Sequence, residues 1–224
     1  MGRPEPGAAP RRRPAVTPLR DRLRLIVITD RAAAHPKDST EVVEAALDAG
    51  APAIQLRDKE RSARELLPVA RELRMRSHAY GALFFVNDRL DVALAAGADG
   101  AHLGPDDLPI AAARRIVPRG FLLGYSTDDP EEAMQAEADG ADYLGCGTIW
   151  TTSSKGNAGD AIGPAGLARV AGAVSIPVVG IGGVTRARLS ALQGTGAAGV
   201  AVIGDIMGAE DPAGAVRAYL SASF

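Results

Sequence analysis

Phe84-Phe85-Val86-Asn87-Asp88-Arg89, then Leu90-Asp91-Val92-Ala93-Leu94-Ala95-Ala96-Gly97, then Gly100-Ala101-His102-Leu103-Gly104-Pro105-Asp106-Asp107-Leu108-Pro109, reads as a strand, a helix and a second strand. The apolar runs Leu83 to Val86 and Gly100 to Leu103 each end in a polar cluster, and the segment between them has helical spacing and a terminal glycine. Parallel strands joined through a helix bring their C-terminal ends to the same sheet edge, so Asn87-Asp88 and Asp106-Asp107 are expected side by side. Two carboxylates in an oxygen-rich corner suit Mg²⁺ better than a softer metal.

The same unit repeats outward in both directions. Short β-branched or Leu-rich runs predict strands at 23–29, 53–57, 82–87, 99–103, 121–125, 142–146, 177–181 and 198–203. Ala-rich stretches predict helices at 39–49, 63–80, 90–96, 109–116, 130–139, 164–173, 185–193 and 211–222. Continuously apolar strands indicate burial on both faces, and glycines such as Gly50, Gly97 and Gly140 sit where helix C-caps and tight turns are needed. The fold class is therefore α/β, and the repeat favours a single (β/α)8 TIM barrel over an open doubly wound sheet. Residues 21–224 are assigned to the barrel and 1–20 to a disordered extension rich in Pro and Arg.

The 224 residues suffice for a full core, and the net charge of −2 gives no electrostatic case for nucleic acid. The single cysteine, Cys146, excludes an internal disulfide and points to a reducing, cytoplasmic compartment. No apolar run approaches the roughly 18 residues of a membrane span, and the N-terminus lacks the apolar centre of a secretion signal. Small-molecule substrates are thus the expected partners, with the chain a monomer or homo-oligomer.

Barrel active sites sit at the C-terminal strand ends, and here those ends are polar. Gln55, Arg57 and Lys59 alternate with Leu56 and Asp58, so the first three share a side and describe an anion site for a phosphate or diphosphate. The alternative is surface pairing of the cations with Asp58, Glu60 or Glu65. Asp88 and Asp107 suit a Mg²⁺ bridging to a diphosphate, or else cap the helices that follow them; Asp106 is expected to face solvent. The polar loop 149–161, with Thr, Ser and Lys, suits a phosphorylated ligand or is merely solvated. Gly180-Ile181-Gly182-Gly183 and the turn at Gly204 offer backbone N–H groups to a second phosphate, the first followed by a helix N-terminus. Cys146 reads as a small core residue. His102 reads as either a satisfied interior histidine or a pocket residue. No Walker lysine, dinucleotide fingerprint or zinc spacing is present.

Taken in order, Thr29-Asp30-Arg31, Gln55-Leu56-Arg57-Asp58-Lys59, Asn87-Asp88-Arg89, His102-Leu103-Gly104 through Asp107-Leu108-Pro109, Gly124-Tyr125-Ser126, Gly145 to Lys155 and Ile181-Gly182-Gly183 resemble the thiamine-phosphate synthase family, related to the thiazole tautomerases. The resemblance covers about residues 23–208. It implies condensation of hydroxymethylpyrimidine diphosphate with thiazole phosphate, or its 2-carboxylated form, to thiamine phosphate and diphosphate. By motif it assigns Gln55, Leu56, Arg57, Asp58, Lys59, Asn87, Ser126 and Lys155 to the pyrimidine diphosphate, with Arg57, Lys59, Ser126 and Lys155 as catalytic. It assigns Mg²⁺ to Asp88 and Asp107, and the thiazole phosphate to Thr152, Ser153, Ser154, Gly183, Ile203 and Gly204. Two departures stand out: Thr151-Thr152-Ser153-Ser154-Lys155 replaces the family's Pro-Thr-x-Thr-Lys, and Ile203-Gly204 replaces Val-Ser, losing a hydroxyl. A tautomerase or a non-catalytic thiazole-phosphate regulator on the same barrel is the alternative, and the full diphosphate residue set argues against it.

Overall fold

In the computed structural model, which describes residues 17–151 and 161–222, eight parallel strands close into a (β/α)8 TIM barrel in sequence order. They are β1 Leu25–Ile28, β2 Ala53–Leu56, β3 Leu83–Asn87, β4 Gly100–Leu103, β5 Leu122–Ser126, β6 Tyr143–Cys146, β7 Val178–Ile181 and β8 Gly199–Val202. Each lies close to its expected span. The helices are α1 Leu19–Arg22, α2 Arg31–Ala34, α3 Ser39–Asp48, α4 Ala63–Ala79, α5 Leu90–Ala96, α6 Ile110–Ile116, α7 Pro130–Ala138, α8 Gly163–Ala173, α9 Gly204–Met207 and α10 Pro212–Ser221.

Two differences from expectation are local. The helix expected at 185–193 is a 3-10 helix, Arg186–Leu192, whose buried Leu189 and Leu192 lie three apart. That spacing stacks both on one edge of a three-residue turn, and an α-helix would also put them on one face, so the apolar pattern does not distinguish the two. The one-turn helices α1, α2 and α9 were not expected. Of these, α2 is started by Asp30, whose carboxylate accepts the Ala33 N–H at 3.0 Å.

Strand periodicity divides the core in two. Leu25 and Val27 face the helices with Ile54, Phe84, Val86, Leu123 and Cys146, whereas Ile26 and Ile28 face the interior with Ala53, Phe85, Tyr143, Val179 and Ala201. Full burial of one Leu or Ile contributes about 1.5–3 kcal/mol. A surface pair such as Arg76 with Glu72, 2.9 Å apart, contributes under about 1 kcal/mol, so packing sets the fold.

Register then decides which inward residues share a level. Asn87 lies opposite His102, His102 opposite Gly124, and Ser126 opposite Gly145. At the N-terminal end of the barrel, Leu19 packs on the interior cluster, and the Arg20 guanidinium donates to the Gly196 and Ala197 carbonyls at 2.9 Å. Helix α1 thus lies across the expected boundary at residues 20 and 21 and closes the barrel floor. Among the described residues no helix is long and apolar enough to cross a membrane.

Candidate active site

The inward positions nearest the C-terminal strand ends enclose a cavity of about 570 Å³. Its floor is polar and fully packed. The Ser126 hydroxyl lies 2.8 Å from His102 Nε2, and His102 Nδ1 lies 3.1 Å from the Tyr143 hydroxyl. Gln55, itself buried, shares a hydrogen bond with that hydroxyl, and burial pushes the Tyr143 phenol above its ordinary value. The chain Ser126, His102, Tyr143, Gln55 spans strands β5, β4, β6 and β2 in turn. Two glycines make room for it: a Cβ on Gly124 would collide with the Tyr143 ring, and one on Gly145 would come within 2.9 Å of His102 Cε1. A buried polar chain with satisfied members is rigid, so it presents fixed donors and acceptors to a ligand.

At the mouth, Arg57 and Lys59 meet the acidic residues. Arg57 is held twice from β1: the Thr29 hydroxyl accepts the Arg57 N–H at 2.9 Å and donates to its carbonyl at 3.2 Å, while Asp30 pairs with its guanidinium at 3.6 Å. Lys59, 64% exposed in its side chain, lies 3.8 Å from Asp88. A contact that open is worth under about 1 kcal/mol, which leaves the ammonium available to a ligand.

Asp88 has left-handed backbone geometry, φ 62°, fixed by its N–H donating to the His102 carbonyl at 2.8 Å. Left-handed geometry in a non-glycine residue costs about 1–3 kcal/mol and clusters at functional positions. The Asp107 carboxylate accepts the Gly104 N–H at 2.7 Å. Burial, then the charge of Asp107, raises the Asp88 carboxyl above its usual range, with Lys59 pulling it back. Two adjacent hard carboxylates with raised affinity for positive charge fit a Mg²⁺ that takes its remaining ligands from water and phosphate oxygens.

A second cavity of about 270 Å³ adjoins the first. The two share Ile181, Ala201 and Ile203 as a common wall. The rest of the second cavity is Thr148, the Gly182-Gly183 turn, Val184, Thr185, Val202, Gly204 and Asp205. Gly183 has φ 64°, and a Cβ there would strike the Trp150 backbone, so the turn admits only glycine. The expected free donor at the start of the following helix is already occupied: the Arg186 N–H points to the Asp205 carboxylate at 3.3 Å.

Gln55, Arg57, Lys59, Asn87, Asp88, Asp107 and Ser126 all line the first cavity, and Gly183, Ile203 and Gly204 the second. Leu56 and Asp58 do not reach either by side chain. Leu56 is buried in the outer core, and Asp58 pairs with Arg31 at 3.1 Å and Arg61 at 3.6 Å. Strand periodicity turns both side chains away from the barrel axis, as the alternation along this stretch predicts. Thr152, Ser153, Ser154 and Lys155 lie outside the described residues. Asp106 is exposed at the rim. Cys146 is core, its thiol pushed up to about 12 by burial. Tyr143 was not singled out by sequence reasoning; its parity with Gly145 on a strand that runs into the site was the available signal.

Comparison with known proteins places this geometry among relatives. The family model described as thiamine monophosphate synthase matches residues 25–206. The chain is 49% identical over 181 residues to a thiamine-phosphate synthase of Moorella thermoacetica, covering 81% of this chain and 86% of that one. It is 47% identical over 193 residues to one of Methanoculleus marisnigri, covering 86% and 92%. Among solved structures, a thiamine phosphate pyrophosphorylase from Pyrococcus furiosus superposes with a TM-score of 0.82 at 44% identity, covering 91% of this chain and 96% of that one.

Proposed function

The chain belongs to the thiamine monophosphate synthase family, and from that membership we propose how its two adjoining cavities make thiamine phosphate. The activity is that of a thiamine-phosphate synthase, a transferase acting on small-molecule substrates. In our reading the larger cavity takes hydroxymethylpyrimidine diphosphate and the smaller takes the phosphate of the thiazole. One observation carries this division: a carboxylate pair beside Arg57 and Lys59 opens one cavity, a glycine turn walls the other, and among the described residues Ile181, Ala201 and Ile203 line both.

The floor residues Gln55, His102, Ser126 and Tyr143 hold the pyrimidine ring, and Asn87 stands between ring and diphosphate. Arg57 and Lys59, with Lys155 assigned by motif, stabilise charge as the carbon–oxygen bond to diphosphate breaks. Asp88 and Asp107 would hold a Mg²⁺, and that ion would add positive charge on the diphosphate side of the cavity. Where the two cavities meet at Ile181, Ala201 and Ile203, the thiazole nitrogen captures the cationic pyrimidine methylene. No protein nucleophile takes part.

The test is diphosphate release by the purified protein given both substrates and Mg²⁺, each omitted in turn, with the product weighed by mass spectrometry. Release that needs all three and yields thiamine phosphate is expected. Equal release without the thiazole phosphate, giving hydroxymethylpyrimidine, would show hydrolysis in place of condensation and overturn the reading.

A further inference from the structure

The smaller cavity contains a charge of the wrong sign for its ligand. Among the described residues its one charged lining residue is Asp205, and a phosphate entering there meets a carboxylate. Like charges brought together at a partly buried site oppose binding unless a cation is fixed beside them.

Asp205 is fixed in place and it has such a cation. Its Oδ2 accepts the Tyr219 hydroxyl at 2.8 Å, Arg186 Nε at 3.1 Å and the Arg186 N–H at 3.3 Å. Tyr219 is buried on α10, so Asp205 is tied into the core. Arg186 opens the 3-10 helix after β7, and Asp205 lies in α9 after β8, so the pair ties together the two walls of the cavity. The pair is half-exposed at the arginine and adds little to folding, so its consequence falls on the ligand. Gly204 offers no hydroxyl at this wall, and among the described residues Arg186 is the cation paired with Asp205, whereas Arg188 donates to the Gly183 carbonyl at 2.8 Å.

We propose that Arg186 is a specificity-determining residue of the smaller cavity, admitting a phosphate monoester by neutralising the resident Asp205 carboxylate. The inference rests on our assignment of this cavity to the thiazole phosphate. Specificity here comes from cancelling a repulsion, and the repulsion returns when the cation is removed.

Steady-state kinetics separate the possibilities, comparing the unaltered chain with Arg186→Ala, Arg186→Lys, Asp205→Asn and the double variant Arg186→Ala/Asp205→Asn. Arg186→Ala is expected to raise KM for the thiazole phosphate at least about tenfold, with KM for the pyrimidine diphosphate within about twofold. Adding Asp205→Asn is expected to return the first value to within about threefold of the unaltered chain, because the repulsion is gone. Arg186→Lys keeps the charge and should stay near the unaltered value. Asp205→Asn alone removes the repulsion and should leave or lower KM for the thiazole phosphate; a raised KM there would overturn the idea even where the alanine variant does not fold. An unchanged KM in Arg186→Ala, or a double variant as weak as the single, would overturn the proposal. If the rescued effect falls on the pyrimidine diphosphate, the pairing stands and the assignment of the cavity fails.

Discussion

At the scale of single residues, Asp88 combines two unfavourable features: left-handed backbone and a carboxylate raised by burial and by Asp107. A folded-state pKa above the unfolded one means that folding is weakened as pH rises through the folded value, since the unfolded chain ionises more readily. Asn tolerates the same backbone geometry and carries no charge. Asp88→Asn is therefore expected to raise the melting temperature in metal-free buffer at neutral pH by about 2–4 °C, if the relief is about 1 kcal/mol. Turnover should fall steeply in the same variant. A calorimetric scan beside a diphosphate-release assay checks both, and a lowered melting temperature would contradict the electrostatic account. The sequence made Asp88 and Asp107 legible because both sit at the ends of recognisable strands. Asp205 was not legible, since Arg186 and Tyr219 reach it from elements far apart in the chain.

At the scale of elements, each of the eight strands was readable as an apolar run with a polar end, and its period of two divided site from core. That parity sends the Gln55 side chain inward and that of Leu56 outward within one motif. A helix over 185–193 was readable but its 3-10 type was not, because Leu189 and Leu192 fit either helix type over so short a span. The link from β1 to β2 through Thr29 bears on function. Thr29→Val keeps the shape but removes a hydroxyl that both donates to and accepts from the Arg57 backbone. We expect a loss of about 1–3 kcal/mol in a urea titration, from backbone groups left unpaired. KM for the pyrimidine diphosphate should also rise as Arg57 loses its anchor, whereas Thr29→Ser should preserve both. Equal effects from Val and Ser would show that the methyl group, not the hydroxyl, matters.

At the scale of the whole molecule, the barrel was legible from repetition alone, but its floor was not. Helix α1 is too short to carry a periodic signal, and its role appears only through Leu19 on the interior cluster and Arg20 on the Gly196 and Ala197 carbonyls. Truncation separates it from what precedes. Removing residues 1–16 is expected to leave melting temperature and turnover unchanged, because that stretch is rich in Pro and Arg and has almost no large apolar residue to bury. Removing residues 1–22 should lower the melting temperature by several degrees, as the floor loses an apolar plug and the hydrogen bonds of Arg20 and Arg22. Equal melting temperatures for the two truncations would mean that α1 adds nothing to the closed barrel.

The pairing of β8 with β1 sets Leu25 against Val200 and Val27 against Val202, and this has a consequence for how the protein is made. A chain emerging from the ribosome has its first strand early, but the partner that closes the ring arrives only after nearly the whole sequence has been translated. Until then β1 and the latest strand present unpaired backbone edges, which can template pairing with other chains. Vectorial synthesis therefore exposes these two edges throughout elongation, and the last strand both completes the enzyme and ends its exposure to aggregation.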